Sequence, residues 1–119
     1  AEQDYQEKNY VEAEKKLEEA IKINSSQAPF HNLHGLIKLQ QKKYAEADKA
    51  FGKALLINPG YQPSIYGKGL VNYYNGNYGQ AVEEFNRSLV EFPGHALSHF
   101  GIGKSYYQLK KYSEAIPMR

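Results

Sequence analysis

A 34-residue period runs the length of the chain and fixes what it can become. Tyr10, Tyr44, Tyr78 and Tyr112 recur at that spacing of 34, each followed three residues later by an alanine, Ala13, Ala47, Ala81 and Ala115. Gly35, Gly69 and Gly103 share the period, as do Leu17, Phe51 and Phe85, and Ala20, Ala54 and Ser88. Pro59 and Pro93 close two of the units, with Ser25 at the matching place in the first. Such self-similarity marks a repeat architecture, in which one unit cannot bury its apolar face alone and must stack on its neighbours.

Within a unit the spacing is helical. Ala47, Phe51, Ala54 and Leu55 fall at i, i+4, i+7 and i+8, one stripe of an amphipathic helix. Its partner runs from about Ala28 to Gln41, with Phe30, Leu33, Leu36, Ile37 and Leu39 forming a broad apolar arc. Asn58-Pro59-Gly60 and Phe92-Pro93-Gly94 end the second helices, because proline lacks a donor and disfavours helix in the residue before it. Glycine at Gly35, and the small alanines opposite, let two helices approach closely. The fold class is all-α, a stack of antiparallel helix pairs.

These columns resemble the tetratricopeptide repeat (TPR), with its small residue, tyrosine, alanine, large apolar residue, alanine and proline. The likeness covers the whole chain. Ile102-Gly103, Tyr106, Tyr112 and Ala115 match the pattern closely, as do Tyr44, Ala47, Phe51, Ala54 and Pro59. It implies a right-handed α-solenoid forming a single domain over 1–119, with partial units at 1–27 and 96–119 around complete units at 28–61 and 62–95. In that register the chain begins inside a first helix, at Ala1, and ends inside a second, at Arg119, as an excised fragment would; Pro117 should make that end fray. Apolar stripes left at the cut ends offer a route to self-association.

Two departures from the family pattern stand out. Where the first helix places apolar residues one before and three after its small residue, Ile102 and Tyr106 comply, but the second and third units carry His34 with Lys38 and Lys68 with Asn72. Each pair is spaced i, i+4 along one helix face. Either the helix is rotated locally and these side chains snorkel to water, or they form a polar strip for a partner. The tight turn between helices, usually a glycine, is Gly76 in one unit but Lys8, Lys42 and Lys110 in the others. Left-handed backbone at a lysine costs about 1 kcal/mol.

Bulk properties narrow the function classes. A net charge of +2 creates no field that argues for nucleic acid or an anionic membrane, and no run approaches the roughly 18 apolar residues of a membrane span. No cysteine is present, which removes disulfides, thiolate metal sites and thiol nucleophiles, and fits a cytoplasmic or a periplasmic location equally.

Candidate chemistry is sparse. His31 and His34 are i, i+3 and His95 and His99 are i, i+4, but a zinc site needs three or four ligands and no H-E-x-x-H is present. His31 and His99 occupy equivalent repeat positions, which argues for packing; no metal or other cofactor is expected. Glu18-Glu19 and Glu83-Glu84 read as solvated helix faces and not as catalytic pairs, since adjacent helix residues point apart. Gly67, Gly69, Gly101 and Gly103 follow no strand and precede no Gly-Lys-Ser/Thr, so they form no phosphate loop. Asn24-Ser25-Ser26 and Asn86-Arg87-Ser88 spell glycosylation sequons, the second with its serine at a buried small-residue position. The chain itself is not expected to be an enzyme.

Tyrosine is the outlier, at 11 residues, and five of them, Tyr66, Tyr73, Tyr74, Tyr106 and Tyr107, cluster in the first helices of the last two units. The TPR resemblance implies that first helices form the concave wall. Its groove positions carry over to Asn32, Leu36, Leu39 and Gln40, then Tyr66, Leu70, Tyr73 and Tyr74, then Phe100, Lys104, Tyr107 and Gln108. Tyrosine supplies large area, one polar tip and little rotamer entropy, which suits recognition. The terminal-carboxylate clamp of some TPR domains is not expected, because Leu36, Leu70, Tyr66 and Phe100 stand where its asparagines and lysines would. The implied partner is a protein or peptide presenting an apolar or aromatic-bearing segment. Two other implications stand beside it. Phe30-His31-Asn32-Leu33-His34-Gly35, Tyr44-Ala45-Glu46-Ala47 and Asn58-Pro59-Gly60-Tyr61 also resemble the non-catalytic TPR tail that follows bacterial zinc-metalloprotease domains, in which case the parent would be membrane-associated or periplasmic. The stack could equally serve as an assembly scaffold through its edges.

Overall fold

The computed structural model describes the backbone of residues 2–115 and the side chains of residues 7–111. Pro117 and Arg119 lie outside the described residues, and so do the side chains of Tyr112 and Ala115. Six helices account for the described chain: α1 (Glu2–Ile23), α2 (Ala28–Gln40), α3 (Tyr44–Ile57), α4 (Gln62–Tyr74), α5 (Tyr78–Glu91) and α6 (Ala96–Ala115). Each packs on the next in sequence. In addition α2 touches α4 and α4 touches α6, whereas among the described residues α1, α3 and α5 do not approach one another in this way. One layer of helices is therefore drawn together while the other splays, which curves the stack and puts α2, α4 and α6 on its inner side. The radius of gyration of 16.0 Å, against about 13–14 Å for a compact domain of this length, reflects the elongation.

The junctions follow from local chemistry. Proline sits in the first turn of both α2 and α4, where its missing donor costs nothing. Lys42 has φ 63° and Gly76 has φ 85°. At both, the residue after the left-handed position donates to the carbonyl five residues back (Lys43 to Lys38 at 2.9 Å, Asn77 to Asn72 at 2.8 Å), and the left-handed residue itself donates three back. This is a Schellman stop, and the same pair of hydrogen bonds closes α2 on a lysine and α4 on a glycine.

The corresponding turns at Lys8 and Lys110 do not form. Helix α1 continues through Lys8 and α6 through Lys110. A lysine gives no intrinsic reason to turn left-handed, and at Lys42 the cost is recovered when α3 folds back on α2. At Lys8 and Lys110, among the described residues, no returning helix recovers it, so the backbone keeps its helical hydrogen bonds.

Close approach between layers is achieved by a ring and not by bare backbone. Phe51 and Phe85 are fully buried. A methyl placed on Gly35 would lie 2.6 Å from the Phe51 ring, and one placed on Gly67 would meet the same ring at 2.6 Å. Phe85 stands in the same relation to Gly69 (2.5 Å) and Gly101 (2.7 Å). Each phenylalanine is thus held between a glycine of its own first helix and one of the next unit's. At the first junction Leu17 takes the ring's place, and Leu33 stands where the second glycine would be. Around Phe51, Leu39, Ala47 and Val71 complete the core, with Tyr44 and Leu70 packed against it.

Gly103 repeats the position of Gly35 and Gly69, yet nothing described lies within 4 Å of its would-be Cβ. Gly67→Ala and Gly101→Ala should each destabilise the chain by about 1–3 kcal/mol through overpacking. Gly103→Ala makes the same change in helix propensity without the clash and should stabilise by up to about 1 kcal/mol. Chemical denaturation of the three variants checks this, and equal effects at Gly101 and Gly103 would contradict it.

Candidate functional site

Two clefts lie along the inner helices. Between α4 and α6 is one of about 740 Å³, lined by Tyr73, His99, Phe100, Gly103, Lys104, Tyr107 and Gln108. Between α2 and α4 is a smaller one of about 250 Å³, lined by Leu36, Leu39, Gln40, Lys42, Tyr44, Leu70 and Tyr74. The packing of α3 and α5 behind them fixes their walls, because the glycine-seated rings Phe51 and Phe85 set how closely α2, α4 and α6 approach.

The aromatic side chains of this wall remain open to solvent. Tyr74 is 53% exposed, Phe100 62% and Tyr107 67%. Tyr73 is half-buried and makes edge-on contacts with Tyr74 (5.3 Å between centroids) and Tyr78 (5.3 Å). The Lys104 ammonium lies over this group, 4.6 Å from the Tyr73 centroid, 5.0 Å from Phe100 and 6.0 Å from Tyr74. Such contacts are worth about 0.5–2 kcal/mol and hold the lysine in the cleft.

The remaining groove positions divide between surface and support. Leu36, Leu70, Gln40 and Gln108 present at least part of their side chains. Leu39, at 7% exposure, belongs to the core. Asn32 accepts a hydrogen bond from the Ser64 hydroxyl at 2.8 Å, which ties α2 to α4. Tyr66 is turned toward Phe85 and His95, with centroids 5.6 and 5.0 Å away, and burial pushes its phenol pKa up, with Tyr74 adding to the rise. Leu39, Asn32 and Tyr66 therefore shape the wall more than they offer themselves. Sequence reasoning left out Lys42, Tyr44, His99 and Gly103. The first two lie in the turn that opens α3, and the last two were assigned to packing by their repeat columns.

Three members of the polar strip, His34, Lys38 and Lys68, are neither snorkelling nor free for a partner, while Asn72 lines a cleft with Tyr44, Asp48 and Val71. Lys38 bonds Glu14 at 2.7 Å and reaches Glu46 at 3.7 Å. His34 lies 3.8 Å from Glu14, and Lys68 pairs with Asp48 at 3.3 Å. Glu14 and Asp48 are equivalent repeat positions, as are His34 and Lys68, so an acid facing a nitrogen-bearing side chain recurs at two successive junctions, with Lys38 supplying the ion pair at the first. At the third, Val82 and Ile102 take the same places. These side chains are spent on holding one unit to the next. Burial opposes ionisation of Glu14, but the Lys38 ammonium and the Gln41 amide outweigh it and hold the carboxyl below its ordinary range. Burial, and then the Lys38 charge, hold His34 below the ordinary imidazole range, while the hydrogen bond to Glu14 lifts Lys38 above its own.

The histidines at equivalent positions act alike: His31 Nε2 donates to the Ser25 carbonyl at 2.9 Å and His99 Nε2 to the Pro93 carbonyl at 3.0 Å, each bracing the loop before its helix. Glu18, His34 and Glu14 do bring ligand atoms within 4.8 Å of one another, but Lys38 already occupies Glu14. Ser88 of the second sequon is buried and accepts from Gln62 Nε2 at 2.7 Å. Glu84 is less solvated than its helix face suggested and pairs with Arg87 at 3.6 Å.

A curved stack of helix pairs with an open inner wall defines an α-solenoid. The chain carries tetratricopeptide repeats: two models described as tetratricopeptide repeat match residues 28–61 and 66–117. Solved structures share the fold. The Arabidopsis OM64 TPR domain is 22% identical with a TM-score of 0.77, covering 85% of this chain and 84% of that one. The second TPR domain of human RPAP3, solved in complex with the HSP70 peptide SGPTIEEVD, is 22% identical with a TM-score of 0.76, covering 86% and 85%. YrrB, described as a TPR protein with an unusual peptide-binding site, is 20% identical with a TM-score of 0.72, and the match covers 81% of this chain and 50% of YrrB. No curated protein matches the chain. At these identities the likeness establishes the fold.

A pH dependence follows from the ion-pair network. The folded chain binds the His34 proton less well than the unfolded chain does, so that contribution is complete above about pH 6.5 and declines as pH falls. Glu14 adds a second loss in the same direction, beginning below about pH 4.5; Lys38, shifted up, loses its contribution only as pH rises beyond about 10.5. The melting temperature should therefore be flat from about pH 7 to 10 and fall toward pH 5. His34→Gln should flatten the slope between pH 7 and 5 and leave the steeper acid limb in place. A slope that survives the substitution would assign it to another group.

Proposed function

We propose that this chain is a non-catalytic protein-interaction module, a single domain of stacked repeats that takes a peptide or helical segment along the inner wall of α2, α4 and α6. The observation that carries this is the exposure of Phe100 and Tyr107 in the lining of a cleft of about 740 Å³, in a stack whose packing rings, Phe51 and Phe85, are fully buried. Exposed aromatic side chains on a rigid concave wall lower the cost of ordering a ligand, because the wall does not rearrange to receive it. The complex of the human RPAP3 domain with an HSP70 peptide, and the peptide-binding site of YrrB, support extending such a role to this fold. The contact positions are Leu36, Gln40, Leu70, Tyr73, Tyr74, Phe100, Lys104, Tyr107 and Gln108, shaped from beneath by Asn32, Leu39 and Tyr66, with the α4/α6 half supplying the anchors. Affinity for one short segment should be roughly micromolar, given so few anchors.

The metalloprotease-tail alternative rests on resemblance alone, and an H-E-x-x-H helix encoded upstream would decide it. A scaffold role through the edges draws on Gly103, over which no described residue stands, where Gly35 and Gly69 each hold a ring. Sedimentation separates the two modes: copies stacking through that edge would raise the mass with concentration, and a constant monomer mass would rule the scaffold out. For the groove, Tyr73→Ala with Tyr107→Ala should weaken capture of peptides selected from a random displayed library by about tenfold or more, with helicity by circular dichroism unchanged. Undiminished capture by a folded double variant would move the site off this wall.

A further inference from the structure

We infer that the α4/α6 cleft is specific for peptide segments in which an acidic side chain stands next to an aromatic or large aliphatic one, with Lys104 as the residue that receives the carboxylate. This rests on the groove reading above and narrows it.

The first observation is a partition of charge. Among the described side chains every aspartate and glutamate lies on α1, α3 or α5; α2, α4 and α6 as far as Lys111 carry none. Among the described side chains the inner wall therefore has nothing to repel an incoming carboxylate and nothing to neutralise an incoming lysine or arginine. The second observation is the difference between its lysines. Lys38 and Lys68 are satisfied by acids reaching across from α1 and α3. Lys104 has no carboxylate and no hydrogen-bond acceptor among the described residues, and stands at the repeat position that Leu36 and Leu70 fill with apolar side chains.

Its ammonium rests instead on the Tyr73 and Phe100 rings, 4.6 and 5.0 Å from their centroids. Ring faces attract a cation without supplying the hydrogen-bond acceptors its three N–H groups can use, so Lys104 is positioned but not saturated. A carboxylate arriving from the open side can take those donors without displacing the rings. The exposed faces of Phe100 and Tyr107 then remain for the neighbouring apolar side chain. A terminal carboxylate would need several donors converging on two oxygens, and the cleft offers one lysine. The ligand group is thus an aspartate or glutamate side chain within a chain, not a C-terminus.

The test selects peptides from a random displayed library against the wild type, Lys104→Met and Lys104→Glu, each checked for unchanged helicity. Wild type should enrich peptides with an aspartate or glutamate adjacent to an aromatic or large aliphatic residue. Lys104→Glu should lose that preference and enrich lysine or arginine there. Synthetic wild-type winners should bind Lys104→Met about tenfold more weakly, the loss expected for one charged hydrogen bond. They should weaken with salt on the wild type but not on Lys104→Met, and should be indifferent to C-terminal amidation. Enrichment of peptides without acids, or equal binding by Lys104→Met, would overturn the assignment to Lys104 while leaving a peptide groove. Loss on amidation would overturn the side-chain assignment in favour of a terminal carboxylate. Failure of the wild type to enrich any peptide would instead strike the groove reading itself.

Discussion

The structure depends on one contact made repeatedly: a phenylalanine ring seated between two glycines. Phe51 lies against Gly35 and Gly67, and Phe85 against Gly69 and Gly101, at distances that leave no room for a methyl on any of the four. The ring belongs to a second helix, one glycine to its own first helix and the other to the next unit's. A single side chain thereby fixes both the packing within a unit and the packing between units. Burial of a phenylalanine is worth about 1.5–3 kcal/mol against exposure, and the absence of both Cβ atoms lets that burial occur without pushing the helices apart. The first junction shows the constraint from the other side: with Leu17 in place of the ring, Leu33 is tolerated where the glycine would be.

A second contact sets how neighbouring units meet on the same face. Glu14 with His34, Asp48 with Lys68, and Val82 with Ile102 occupy equivalent places at three successive junctions, two polar and one apolar, with Lys38 meeting the charge of Glu14. Partnered charges and partnered methyls each satisfy their place, but a mixed junction would bury an unpaired charge. The changes within the chain are correlated in just that way. Half-buried ion pairs add modest net stability, since desolvation offsets much of the attraction; their larger effect is to make one stacking register cheaper than its rivals.

Much of this was legible in the residues. The period located α2 within a residue, and the ends of α3, α4 and α5 are written as Pro59, Gly76 and Pro93, because a stripe at 3.6 residues can only be buried by stacking. The turns at Lys8 and Lys110 were misjudged because a turn of this kind is stabilised by the helix that returns, and a column of aligned residues does not say whether that helix is there. The polar strip was misread for a related reason. His34 and Lys68 look anomalous against a family pattern; they are ordinary once Glu14 and Asp48, 20 residues earlier in both cases, are counted as their partners. The second glycine column, Gly67 and Gly101, was visible but unassigned, since its purpose lies in a ring 16 residues away in the chain. The candidate groove followed from the resemblance. Only coordinates could separate its surface, Phe100 and Tyr107, from its supports, Leu39, Asn32 and Tyr66.

The division between support and surface has a physical origin in the layers. Rings and ion pairs reach the inner helices from behind, from α1, α3 and α5, and they meet most of the burial demand of α2, α4 and α6 on that side. The inner faces then carry little obligation to the fold, so substitutions there change what the wall presents more than whether it forms. Lys104 illustrates the freedom: a lysine replaces the leucine of the two preceding units, is held by rings already present, and leaves the glycine contacts beneath it untouched. A repeat built this way can keep its stacking rule constant while its inner surface drifts, so the residues that set specificity are to be sought where the repeat columns disagree.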